Sequence, residues 1–167
     1  MTEYLDDSTA GLRSAVNSIR DPPLSLVIIL AGSNDIGMLT SSVSSTEVNG
    51  EDAVAPILSL HKACLECDQD SDSIGLRTLA VGIPGSGWQQ MNPMAKKLCE
   101  EMNDSLVKFA SSSVSNYGGR VSYVKFPFEY VKGDSKWCSD GLHLSPEGYE
   151  LLGVQLASSV KKLLDAR

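Results

Sequence analysis

Residues Leu24–Ala31 read Leu-Ser-Leu-Val-Ile-Ile-Leu-Ala, and a glycine follows at once. This run constrains the fold more than anything else in the chain. It is far too short to cross a bilayer as a helix. It is nearly all apolar and rich in β-branched residues, which suits a strand covered on both faces of a parallel sheet. Two further runs have strand length: Leu76–Ile83, and Arg120–Phe126, whose partial alternation suits a strand nearer an edge.

Around these runs the apolar residues adopt helical spacing. Leu12, Val16 and Ile19 predict a helix over 8–20, ended by Pro22-Pro23. Val54, Ile57, Leu58 and Leu65 predict one over 51–68. Met94, Leu98, Met102, Leu106 and Phe109 predict one over 93–113. The last helix takes Ser145 as N-cap and Pro146 as its first residue, with Tyr149, Leu152, Leu156, Val160 and Leu163 as its apolar stripe. Strands alternating with helices imply an α/β fold, parallel strands joined by right-handed crossovers and helices on both sheet faces. The pattern reads as a single domain over 1–167, with its core over about 8–165; a chain of 167 residues suffices for one core.

Open parallel sheets bind ligands beyond the carboxyl ends of their strands. Gly32–Asp35 follows the first strand there, Pro84-Gly85-Ser86-Gly87-Trp88 the second, and Pro127–Tyr130 the third. The serine-rich loop Thr40–Gly50 is placed near the same face.

Two short motifs carry chemistry. Asp140 and His143 are three residues apart in Asp140-Gly141-Leu142-His143, so one turn can set the carboxylate on the imidazole Nδ1–H. That fixes the tautomer and leaves Nε2 to take a proton. Gly32-Ser33-Asn34-Asp35 offers a glycine for a tight turn and an amide whose NH2 can donate to an oxyanion. Each motif alone also fits an ordinary polar turn beside a helix. Together, in this order and at one face of an α/β sheet, they are far more specific.

The two motifs and their contexts resemble the third and fifth sequence blocks of the SGNH (GDSL) hydrolases, esterases with a Ser-His-Asp triad. The resemblance runs from about residue 8 to the end. It implies a three-layer α/β/α sandwich with a parallel, flavodoxin-like sheet of five strands, here missing its first strands. It assigns His143 as general base, Asp140 as its partner, Asn34 to the oxyanion hole and Gly32 to the turn that shapes it. Asp35 becomes structural, and Ser86 and Trp88 become substrate contacts. It implies a small-molecule ester substrate, an acyl-serine intermediate, and no cofactor or metal. The family's nucleophile lies in a Gly-Asp-Ser motif after its first strand, and its second oxyanion glycine after its second strand. The residues before Leu24 read as one helix, with no counterpart of either block, so ester hydrolysis by this chain alone is expected to be impaired. Asp7-Ser8-Thr9 reads as a cap of that helix. Ser86 lies outside any Gly-x-Ser-x-Gly elbow, because Gly85-Ser86-Gly87 lacks that spacing. In the family's sheet the first strand lies beside the one matching Leu24–Ala31, so that strand is expected to present an open edge through which copies self-associate.

The remaining features are mostly exclusions. Fourteen Lys and Arg against 21 Asp and Glu give a net charge of −7, which argues against a nucleic-acid partner. The N-terminus has no basic and apolar leader pattern and no run is long enough for a membrane span, so a cytoplasmic protein is expected. His61 and the Cys64-Leu65-Glu66-Cys67 spacing offer half a zinc site or a redox pair, but no second pair follows, and two positions on one helical turn account for the spacing. Two rivals stand beside the hydrolase. One is a non-catalytic acyl- or glycan-binding module on the same fold. The other is a flavodoxin-like nucleotide or flavin binder, against which stands the lack of a glycine-rich phosphate loop.

Overall fold

The Leu24 run forms a strand, β1 (Leu26–Ile29), in the computed structural model, which describes residues 11–19, 24–41, 48–67 and 75–165. Helix α1 (Leu12–Ser18) precedes it. After it come α2 (Ser33–Ser41), α3 (Gly50–Glu66), β2 (Arg77–Val81), α4 (Gly87–Met91), α5 (Pro93–Asn116), β3 (Val121–Val124) and α6 (Pro146–Asp165). Ser8, Pro22-Pro23 and most of the Thr40–Gly50 loop lie outside the described residues.

The strands are parallel in the order β1-β2-β3, with Leu26 opposite Arg77 and Thr78 opposite Val121. Strand alternation sorts their side chains to two faces. Val27, Ile29, Ala80 and Tyr123 face α3 and α5, where Val54, Ile57, Cys64, Leu98, Met102 and Leu106 complete the larger core. Val81 and Val124 face the other way and pack on Phe126, Trp137, Leu144, Leu152 and Leu156, the last two from α6. The sheet is thus a middle layer between helices, the α/β/α arrangement expected.

One expectation needs correction. The Leu24–Ala31 strand is not covered on both faces, since Ile28 is 46% exposed and Leu30 39%. The cause is the position of α6, which packs over Val81 and Val124, beyond the outward-facing side of β1. Among the described residues β1 pairs with β2 alone, so its other edge is open.

Two helices were read as loops from the sequence. Helix α2 starts inside Gly32-Ser33-Asn34-Asp35, and α4 inside Pro84–Trp88. Both are too short to show a repeated apolar stripe. The long helices match their signals: Asn49 caps α3 by accepting from Asp52 N, and Asn92 caps α5, which opens on Pro93.

Candidate active site

The Asp140–His143 turn is built by its own hydrogen bonds. Asp140 Oδ1 accepts from the backbone N–H of Leu142 (2.8 Å) and of His143 (3.0 Å). Asp140 Oδ2 stands 2.7 Å from His143 Nδ1. Gly141 makes the reversal at φ +69°, and its N–H donates to Cys138 O. The imidazole hydrogen bond, helped by the two amides, holds the Asp140 carboxyl down at about 2. At neutral pH the carboxylate therefore accepts from Nδ1–H, and His143 Nε2 is the basic nitrogen. A bridge between Trp137 and Leu144 closes the loop at its base. Ser145 then caps α6, as its sequence position predicts: Gly148 N–H donates to Ser145 Oγ. Gly148 is needed there, because a Cβ would stand 2.1 Å from Lys136 O.

Asn34 is positioned by Gly32. Gly32 adopts φ +113°, and a Cβ on it would lie 2.6 Å from the Ile83 Cδ1 atom. Both conformation and space demand glycine. Its carbonyl accepts the first bond of α2, from Ile36 N–H, which puts Ser33, Asn34 and Asp35 in the first turn. The amide groups of that turn have no partner inside the helix. The Asn34 carboxamide is exposed and makes no hydrogen bond among the described residues. Asp35 adds negative charge at the positive helix end.

The halves meet at two clefts that share Ser33, Asn34, Met38 and Leu142. One, of about 580 Å³, also takes in Gly32, Asp35, Leu30, Phe126, His143 and Tyr149. The other, of about 530 Å³, takes in Ser41, Ser86, Trp88, Asp140 and Gly141. The two clefts thus bring together Gly32, Asn34, Asp35, Ser86, Trp88, Asp140 and His143, with Asn34 at the boundary. Ser86 and Trp88 stand on the side away from His143. Ser86 caps α4, accepting from Gln89 N–H, and the Trp88 indole donates to Thr40 Oγ1 of α2 at 2.8 Å.

This pairing of an Asp-His dyad with an amide-bearing helix start fits an acyl-transfer site, and sequence comparison decides the family. A model of GDSL-like lipases and acylhydrolases matches residues 3–156. The chain belongs to that family. No curated protein matches it.

In this GDSL-like domain three described serines stand at the candidate site. Ser33, Ser41 and Ser86 line the clefts, but among the described residues none bonds to His143, whose Nε2 has no hydroxyl partner. The sequence reading also passed over a literal Gly-Asp-Ser at Gly133-Asp134-Ser135. It sits in the turn before the Asp140–His143 loop, after no strand. Asp134 there caps Lys136 N, and Ser135 is exposed, lining none of the clefts described here. It resembles the motif in letters only.

The cysteine-histidine cluster belongs to the core. His61 is fully buried, with Nδ1 2.9 Å from Thr78 Oγ1. Cys64 is buried and its thiol is pushed up to about 11, while Cys67 is half-buried and also raised, both chiefly by burial. Among the described residues no group of three His, Cys, Asp or Glu could hold a metal. No described helix is long and apolar enough to cross a membrane.

Proposed function

We propose that this domain hydrolyses a small-molecule carboxylic ester by the acyl-serine route, with His143 as general base and then acid, Asp140 holding its tautomer, and Asn34 donating to the oxyanion. The observation that carries this reading is the 2.7 Å Asp140–His143 contact in a turn whose histidine shares one cleft with Asn34. The base approaches an attacking oxygen through Nε2, and Asn34 receives the charge that develops on the carbonyl. Ser86 and Trp88 line the neighbouring cleft and contact the substrate there.

In this reading the attacking hydroxyl is absent from the described residues and belongs to a segment that seats on the open edge of β1. The 167 residues alone are then slow. The exposed Ile28 and Leu30 beside that edge make it a pairing surface for a second copy. Four free cysteines fit a reducing, cytoplasmic setting, and the acidic charge leaves nucleic acid outside the reading.

The test is hydrolysis of p-nitrophenyl acetate together with fluorophosphonate labelling read by mass spectrometry. The expected result is weak hydrolysis that falls to background in His143→Ala, with no serine labelled. Hydrolysis unaffected by His143→Ala would sink the dyad. One serine labelled stoichiometrically, and not in His143→Ala, would overturn the statement that the hydroxyl lies elsewhere. The unpartnered His143 Nε2 also favours a second reading, a module that binds an acyl or glycan ligand in the same clefts without turnover; ligand binding with hydrolysis at background would select it.

A further inference from the structure

Three glycines around the site share one neighbour. The side chain of Tyr130, from the loop after β3, runs past Gly85, Gly87 and Gly141. A Cβ on Gly141 would stand 2.8 Å from the Tyr130 hydroxyl, one on Gly87 3.1 Å from the same oxygen, and one on Gly85 3.5 Å from the tyrosine Cβ. Gly87 N–H donates to Gly141 O at 2.8 Å. The segment before α4 and the catalytic turn therefore touch backbone to backbone, and the phenol lies across their junction. The ring is fixed from behind, edge-on to Trp137 at 5.2 Å, and Trp137 bridges to Leu144, next to His143. Gln90 of α4 reaches back to the Tyr130 carbonyl.

The same short helix is tied on its other side to the helix that carries Asn34. Trp88 Nε1 donates to Thr40 Oγ1 at 2.8 Å, and Asn92 Nδ2 to Thr40 O at 3.3 Å. So α4 is a strut. Trp88 and Asn92 bond it to α2, and Gly87 at its start is pressed on Gly141 under Tyr130. The Asp140–His143 contact is half exposed, with side chains 50% and 61% accessible. Water competes for such a pair, and burial does little to hold the turn. Contact through the strut supplies what burial does not.

We propose that Tyr130 is a positioning residue which, wedged over the Gly87–Gly141 contact, locks the Asp140–His143 turn and sets its distance from the helix bearing Asn34. This rests on the acyl-transfer reading for its purpose, and its test is independent of turnover. The chain has two histidines, His61 and His143, so long-range proton–nitrogen NMR spectra of the imidazoles resolve both rings and report their tautomers. The wild-type chain is expected to show His143 in the single Nδ1–H form. Tyr130→Phe keeps the ring over the glycines and is expected to preserve that form. Tyr130→Leu keeps apolar bulk against Trp137 but cannot reach Gly141. It is expected to give a mixture of both His143 tautomers and at least about tenfold faster exchange of the Gly87 amide, with the core His61 signals unmoved. A Tyr130→Leu chain with a single His143 tautomer and unchanged Gly87 exchange overturns the proposal. So does one in which His61 shifts along with His143, since Tyr130 would then support the fold at large. Should Tyr130→Leu fail to fold, Tyr130→Met takes its place: it too removes the ring from the Gly87–Gly141 junction, and the same two signals decide. Failure of ester hydrolysis with the tautomer effect intact would sink the hydrolase reading alone.

Discussion

Acid should destabilise this domain through a residue that lies in the core and outside the candidate site. His61 is fully buried on α3, with Nδ1 against Thr78, its ring 5.8 Å from that of Phe109, and Nε2 buried without a partner. Burial pushes its pKa down from 6.5 to about 4. The unfolded chain takes up this proton near 6.5 and the folded chain only near 4, so between those values the unfolded state binds more protons. Stability is then whole above pH 6.5 and falls as pH drops toward 4. At about 1.4 kcal/mol for each pH unit, the loss is about 3 kcal/mol, a large share of the roughly 5–15 kcal/mol typical of a domain. Asp140, held at about 2 by His143 and two amides, loses its contribution only below this window. The assay is urea unfolding followed by circular dichroism at half-unit steps from pH 7 to 4, for the wild type and for the double variant His61→Leu/Thr78→Val, which removes the titrating ring and its hydroxyl partner together. The wild-type curve should fall by about 3 kcal/mol more than the variant's across the window. Parallel curves would refute the assignment of this acid sensitivity to His61.

Other consequences are direct. Gly32→Ala should cost about 1–3 kcal/mol, because a side chain at φ +113° is strained and would press on Ile83; thermal melting measures it. In any form of the protein with full activity, Asn34→Ala should lower kcat about 100- to 1000-fold with little change in KM, as loss of an oxyanion donor does. Asp140→Asn should lower kcat at least as much, since an amide facing Nδ1 selects the wrong tautomer. Ile28→Lys, on the open side of β1, should shift any self-association toward monomer in sedimentation experiments, and an unchanged distribution would clear that edge.

The layer structure was legible because the long elements carry their periods openly. Leu24–Ala31 and the stripes of α3, α5 and α6 each repeat their pattern often enough to be read. Helices α2 and α4 were not, since nine and five residues give too few turns for a stripe, and both begin on glycine-rich loops. Asp140, His143, Asn34 and Gly32 were legible because their chemistry depends on local spacing, which survives in one dimension. The role of Tyr130 was not. It depends on three glycines that sequence places in two distant loops, and only the fold brings Gly87 to Gly141. Gly133-Asp134-Ser135 shows the converse. Its letters match a nucleophile motif, yet no strand precedes it to aim the hydroxyl, and a motif without its supporting element has no direction.

The exposed end of β1 and the half-exposed Asp140–His143 pair meet at one cleft. Leu30 and Tyr149 line the cleft that holds His143, and Ile28 lies two residues before Leu30 on the same strand face. With this side uncovered, water reaches both the apolar strand and the imidazole–carboxylate pair. Oxyanion and ion-pair stabilisation is worth far more in a dry site than in a wet one. A segment laid along β1 would bury Ile28 and Leu30, remove the exposed edge, and lower the effective dielectric around His143 in a single step. In the acyl-transfer reading, the surface proposed for self-association is therefore the one whose covering would dry the Asp140–His143 pair. Stability and rate should rise together when it is filled.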